Sequence, residues 1–441
     1  MRYFLTLLFI STIILPFSAI PAHAIYLDER LGVTNSCGVY PDRTSQGDYL
    51  QYGVQKTREL GFAGLELIMV PRSLCSSGGG CYQQATQYCS GNKLDVPDMR
   101  GMMTLPQYQI AMSKPIKYFT LFVEAVKSTS LQQASIHASS EPYTQAEIDS
   151  TYKEVKDAIK YLLTRYRGSG KTFYIAPVNE LDNRLVQSSG CLLNFPCDDV
   201  DVPAYSINHA INFLNTYARA IKDAKEEIPP EGVTVYLTCE INRVISRSMR
   251  GKTSAANDVI PHTQCDIVAY SAYETIMASN PSGVRQNMLE SLNYIADKAP
   301  DHSDFPNGKN VMIGEIGYPE NSTRTDVSFD KAAAAIQAAM DWGVVRLNIW
   351  TLLDQKCTKA NPTNADCSGF WMIKPDGSRS QMYNYLRTTY STTAPSLPPT
   401  NSADLNSDGT VNLLDYNLLK AGFGTTYNLL NYNTLRSQWG Q

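Results

Sequence analysis

Two short segments of this chain end an apolar run abruptly in polar chemistry. Tyr174-Ile-Ala-Pro-Val-Asn179-Glu180 stops at an amide and a carboxylate, and Asn310-Val-Met-Ile-Gly314-Glu315 stops at Gly-Glu. A buried parallel strand delivers a polar group to the rim of a barrel in this way. If both strands belong to one closed barrel, Glu180 and Glu315 face each other across a cleft. Hydrolysis of a glycosidic bond needs two such opposed carboxylates, one to donate a proton and one to attack or to activate water. On the fourth and seventh strands of eight, their carboxyls are expected about 5 to 5.5 Å apart, the spacing of a retaining double displacement. Glu315 then attacks the anomeric carbon. Glu180, its pKa raised by the neighbouring charge, protonates the leaving oxygen and later deprotonates water.

Eight strands must exist to hold these groups. The pattern predicts them at Leu31–Ser36, Phe62–Val70, Gln133–Ser139 (carrying His137), Phe173–Val178, Val233–Thr238, Asp266–Ser271, Asn310–Glu315 and Val344–Trp350. Helices are predicted at Tyr52–Leu60, after the capping box Thr144-x-x-Glu147, at Tyr205–Lys225, Val284–Ala296, Ser328–Trp342 and Gln381–Tyr390. Ile116–Val126 also has helical apolar spacing, and only a short helical signal, Val244–Gly251, follows the fifth strand. Strand and helix alternate eight times, which predicts an α/β fold, the (β/α)8 TIM barrel, over residues 25–390.

The 441 residues are 43% hydrophobic and 18% charged, enough for a large core. A formal net charge of −4 gives no electrostatic case for nucleic acid. The apolar run after Arg2, closed by Ala22-His23-Ala24, predicts a secretory signal over residues 1–24, and no later stretch is apolar and long enough to span a bilayer. The protein is thus expected outside the cell or attached to its surface. Ten cysteines in an exported chain imply disulfides rather than metal thiolates. Cys191 with Cys197 and Cys357 with Cys367 are plausible local staples. Among Cys75, Cys81 and Cys89, one can reach Cys37 and two can pair, which leaves Cys239 and Cys265 unassigned.

A Pro/Thr/Ser linker, residues 391–402, leads to a separate small all-α module over 403–441. Its sequence Asp404-Leu-Asn406-Ser-Asp408-Gly409-Thr410-Val411-Asn412-Leu-Leu-Asp415 sets oxygen ligands at the positions of an EF-hand-type calcium loop, Asp404, Asn406, Asp408, Thr410, Asn412 and Asp415. Its last ligand is Asp instead of the usual Glu. Val411–Asn417 recurs as Tyr427–Asn433, but residues 420–426 lack acidic groups, so one Ca2+ site is expected and no cofactor for catalysis.

Asn179-Glu180 and Gly314-Glu315 resemble the acid/base and nucleophile motifs of the clan A glycoside hydrolases, (β/α)8 retaining enzymes, and the resemblance covers the barrel. It implies that Asn179 hydrogen-bonds the sugar hydroxyl beside the anomeric carbon, that Tyr273 orients Glu315, and that Trp350 stacks on a sugar. No arginine near the first strands and no clear histidine before Tyr273 match the family pattern. The tail resembles a dockerin, which implies a cohesin-type scaffold as partner. Its second repeat departs from that pattern. Polysaccharide or oligosaccharide with a β linkage is the implied substrate. Glu240 and Glu274 also end strands and are alternative nucleophiles, His137 is a candidate substrate contact, and Asp354 is a candidate for sugar hydroxyls or a solvated loop acid. The competing reading is a non-catalytic carbohydrate-binding or scaffold-attached surface protein, which has no need of opposed carboxylates.

Overall fold

The computed structural model describes residues 26–35, 49–70, 89–90, 93–127, 140–187, 197–278, 280–305, 308–324, 326–359, 361–392, 405, 411–421, 432, 435–436 and 439. Residues 1–24, where a signal is expected, His137, Cys191 and the expected loop ligands Asp404, Asn406, Asp408 and Thr410 lie outside the described residues.

Eight parallel strands close into a barrel: β1 (Leu31–Asn35), β2 (Gly64–Met69), β3 (Tyr118–Val123), β4 (Lys171–Ala176), β5 (Val233–Ile241), β6 (Ile267–Ser271), β7 (Val311–Ile316) and β8 (Leu347–Ile349). Each pairs with its sequence neighbours, and β8 returns to β1 through Leu347 opposite Leu31. Seven strands fall where the sequence puts them. The third does not. Tyr118-Phe-Thr-Leu-Phe-Val123, read as helix, is a strand paired with β2 and β4, while Gln133–Ser139 lies outside the described residues. A parallel strand covered on both faces is apolar at nearly every position, so its run satisfies a helical period as well as any other. Its aromatic, β-branched composition was the better guide.

Helices cover the outside. The long helix Gln145–Arg165 starts at Thr144 with the expected capping box, both reciprocal bonds being present. It packs along Ala204–Glu227, and Pro281–Lys298 packs along Phe329–Trp342, which ends at Gly343 in the left-handed conformation. After β5 the chain makes only short turns between Ser248 and His262. None of the helices among the described residues is long and apolar enough to cross a membrane. Cys357 pairs with Cys367 as expected, and the two unassigned cysteines, Cys239 on β5 and Cys265 before β6, pair with each other. Cys197 is also disulfide-bonded.

The lower end of the barrel is filled by an arginine. Arg346 is buried, its Nη1 donates to the Glu29 carbonyl at 3.0 Å, and its guanidinium stacks 3.9 Å from the Tyr118 ring centroid. Room for it comes from glycine on the facing strands: a methyl group on Gly64 would stand 1.9 Å from Arg346 Nη2. Gly64→Ala is therefore expected to cost about 1 to 3 kcal/mol through overpacking. Urea unfolding of the variant measures it, and an unchanged midpoint would mean that the guanidinium is free to shift.

In the tail, the helix Leu413–Ala421 packs Val411, Leu419 and Leu435 into a small core of their own.

Candidate active site

Both glutamates reach the same end of the barrel, by different routes. β4 ends at Ala176, because Pro177 has no N–H to continue the ladder. Glu180 follows four residues later, in the left-handed region at φ 46°, and its carbonyl accepts the Asn183 N–H as the helix Leu181–Gln187 begins. It is thus carried by the loop after β4 and not by the strand itself. Glu315 lies within β7, with its carbonyl accepting from Ala272 N–H beyond β6.

Glu315 is only 7% exposed, and Tyr273 Oη donates to its Oε2 at 3.3 Å. Tyr273 opens a short turn directly after β6, which is why its ring lies over β7. Burial, then the charges of Glu240 and Glu180, push the Glu315 carboxyl well above the usual carboxylate range, while the tyrosine hydroxyl pulls it back. Glu180 is partly exposed. Asn183 Nδ2 donates to its Oε2 at 2.9 Å and Asn242 Nδ2 to its Oε1 at 3.4 Å. Its pKa is raised as expected, yet the cause differs: burial raises it, whereas Asn183, Arg184, Arg243 and Asn242 act in the other direction. Asn179 Oδ1 accepts from Arg184 Nη2 at 3.2 Å.

Trp350, just past β8, is partly exposed and packs against Ile68, Val70, Phe122 and Ala176 at the barrel mouth. Phe370, from the loop after β8, meets Tyr273 edge-on with centroids 6.5 Å apart. Nothing in its sequence setting marks it. Tyr273 and Phe370 thus meet beside Glu315, while Trp350 covers the barrel mouth over the ends of β2, β3 and β4.

The remaining acids are structural. Glu274 accepts the backbone N–H groups of Ile245 and Ser246 at 2.7 and 3.1 Å and the Tyr270 hydroxyl at 3.0 Å, clipping the loop after β5 to the turn after β6. Asp354 is neither a solvated loop acid nor directed at a sugar. It is fully buried and accepts from the N–H groups of Lys356, Gly369 and Phe370. Two further buried acids, Glu66 and Glu240, lie inside the barrel. Thr34 donates to Glu66 at 2.7 Å, and burial pushes Glu66 up to about 7. A lone acid between Leu65 and Leu67 in a strand was a usable signal for it.

Asp182 and Arg243 tie the loop after β4 to the end of β5. Asp182 accepts from Asn242 N–H at 3.2 Å and Ala255 N–H at 2.7 Å, and Arg243 donates to Asn183 Oδ1 at 2.6 Å and to Asp198.

No family model matches the chain, and no curated protein matches it. Solved structures do. A GH5_18 protein from Streptomyces cattleya, in complex with Manb1-4GlcNAc, is 12% identical, with 94% of this chain and 98% of that one covered and a TM-score of 0.49. A GH5_18 protein from Bifidobacterium longum subsp. longum is 13% identical over 93% and 96%, with a TM-score of 0.48. A GH5-4 broad specificity endoglucanase from Clostridium acetobutylicum is 14% identical over 81% and 96%, with a TM-score of 0.46.

Proposed function

We propose that this chain is a secreted retaining glycoside hydrolase that cleaves a β-linked glycan. One observation carries the reading. Glu180 and Glu315 are presented at one end of the barrel, beyond β4 and on β7, on either side of the buried Glu240 carboxyl, with Tyr273 hydrogen-bonded to Glu315. In the first step the Glu315 carboxylate forms a bond to the anomeric carbon as the bond to the leaving oxygen breaks, and Glu180 gives that oxygen its proton. In the second step Glu180 takes a proton from water, the oxygen of which displaces Glu315. The Tyr273 hydroxyl favours the charged form of Glu315 and fixes its orientation. Asn179 and Trp350 hold the sugar.

An activated 2-fluoro glycoside panel tests this by trapping the glycosyl-enzyme. Peptide mass spectrometry is expected to find the label on Glu315. A label on Glu240 or Glu274 would reassign the nucleophile, and no label across a panel covering the common β-glycosides would count against hydrolysis. Tyr273→Phe is expected to lower kcat about 10- to 100-fold with little change in KM, the worth of one hydrogen bond to a charged group. Steady-state kinetics checks it, and an unchanged kcat would remove Tyr273 from the machinery.

We further propose that the tail holds Ca2+ and attaches the enzyme to a cohesin-type scaffold. Asp415 is buried at the first turn of its helix and accepts Asn412 N–H at 2.9 Å, while Asn412 Oδ1 caps Leu414 N–H at 2.7 Å. A buried carboxylate closing an all-oxygen loop suits a hard divalent cation. Asp404, Asn406, Asp408, Thr410, Asn412 and Asp415 would hold the ion, which locks the loop onto the helix. Calcium titration by calorimetry is expected to show one site, lost in Asp415→Ala. Equal heats from both proteins would sink the proposal.

A further inference from the structure

We infer that Glu240 is a positioning residue for the catalytic pair, fixing from inside the barrel the backbone that carries Glu180 and packing directly beneath the backbone that carries Glu315. The inference rests on the glycosidase reading for its consequence in catalysis, and on geometry for the positioning itself.

Glu240 lies on β5 and is 4% exposed, so it is set behind the reacting groups. Its Oε1 accepts two hydrogen bonds, from Glu180 N–H at 3.0 Å and from Ser271 Oγ at 2.9 Å. Its Oε2 lies against β7: a methyl group on Gly314 would stand 2.4 Å from it. One carboxyl therefore touches the loop after β4, the end of β6 and the residue before Glu315. This also accounts for glycine at 314, where even a methyl group would displace that carboxyl.

The bond to Glu180 N–H matters because of the backbone there. A non-glycine residue at φ 46° persists only where its surroundings over-determine it. The amide held by Glu240 and the carboxylate held by Asn183 and Asn242 are those surroundings. With Oε1 committed to two donors beneath the site, Glu240 is no longer a candidate nucleophile.

Its charge state follows from what faces it. The titratable neighbours are Glu66 from β2, Glu180 from the loop after β4, Tyr273 from the turn after β6 and Glu315 from β7. Burial, then the charges of Glu66 and Glu180, push Glu240 up to about 8. At neutral pH it is mostly protonated. A neutral carboxyl keeps its carbonyl oxygen as acceptor for both donors, yet sets no charge beneath Glu315, which must itself ionise to attack.

The test follows the Glu180 amide directly. The full chain is labelled with 15N-glutamate, and the Glu180 signal is assigned by its loss in Glu180→Gln. In the wild type that signal is expected to shift with a midpoint near pH 8, and in Glu240→Gln that step is expected to vanish. In parallel, kcat is followed against pH on an activated aryl β-glycoside. Glu240→Leu, which has no acceptor, is expected to lose on the order of 100-fold in kcat. Glu240→Gln recovers most of that loss and moves the alkaline limb of the profile. A Glu180 titration that is the same in wild type and Glu240→Gln overturns the inference, as do equal rates for the Leu and Gln variants. The amide step with no turnover on any glycoside would leave the positioning standing and remove the glycosidase reading. Turnover without the amide step would do the reverse.

Discussion

Glu315→Gln is expected to lower kcat on the order of 10^5-fold on an activated aryl β-glycoside, because in the proposed double displacement Glu315 forms the bond to the anomeric carbon. Gln keeps an oxygen for the Tyr273 hydroxyl at nearly the same volume, so the variant is expected to fold and to bind sugar as the wild type does. Glu180→Gln is expected to lose less on the same substrate, since a good leaving group departs without a proton. The loss grows as the leaving group becomes a poorer one. The alanine variants then separate the two roles by stereochemistry. Azide entering the space of Glu315 attacks the anomeric carbon from the face the nucleophile used, and a β-glycoside gives an α-glycosyl azide. Azide entering the space of Glu180 attacks the glycosyl-enzyme from the opposite face and gives the β-glycosyl azide. Proton NMR of the products reads the anomer. The same anomer from both variants would mean that the glutamates do not flank the bond as acid and nucleophile.

The two apolar runs that stop at polar residues were enough to bring both glutamates to one end of the barrel, although neither ends its strand: β4 stops at Ala176 and β7 runs on to Ile316. The same count of strand ends put Tyr273 and Trp350, both drawn from the resemblance, just past β6 and β8. It failed where a run has no polar interruption to count by. Tyr118–Val123 is buried almost throughout, so its period carries no information about which structure buries it. The polar support beneath the site carries no such mark in the sequence. Thr34, Glu66, Glu240 and Ser271 form a polar layer inside the barrel, and Asn183, Asn242 and Arg243 form the brace around Glu180. Glu240 was visible only as a possible competitor to Glu315. Its role depends on a hydrogen bond to a backbone amide 60 residues earlier, and spacing along the chain says nothing of such contacts. Asp354 and Glu274 teach the converse, since an acid near a strand end can serve the backbone alone.

Buried acids inside the barrel also predict how stability depends on pH. Glu66 has a folded pKa of about 7, above its ordinary value of 4.5. Between those values the folded chain binds more protons than the unfolded one, so the contribution of Glu66 is fully present below about pH 4.5 and is lost as pH rises through about 7. At about 1.4 kcal/mol for each pH unit between the two values, Glu66 alone removes about 3 kcal/mol across that window. Asp182, pushed up to about 7 by burial, and Glu240, pushed up to about 8, act in the same direction. On the acid side, Glu227, held to about 2 by Lys156 and Lys160, and Asp366, held to about 2 by Lys359, contribute stability that is lost as pH falls through 2. Urea unfolding is therefore expected to show greatest stability at mildly acidic pH and a decline toward pH 8. Glu66→Gln keeps an acceptor for the Thr34 hydroxyl and carries no charge at any pH. It is expected to match the wild type near pH 4 and to exceed it by about 3 kcal/mol near pH 8. A wild-type curve that is flat between those values, or a difference from Glu66→Gln that does not change with pH, would show that Glu66 is ionised inside the barrel and that some other group compensates its charge.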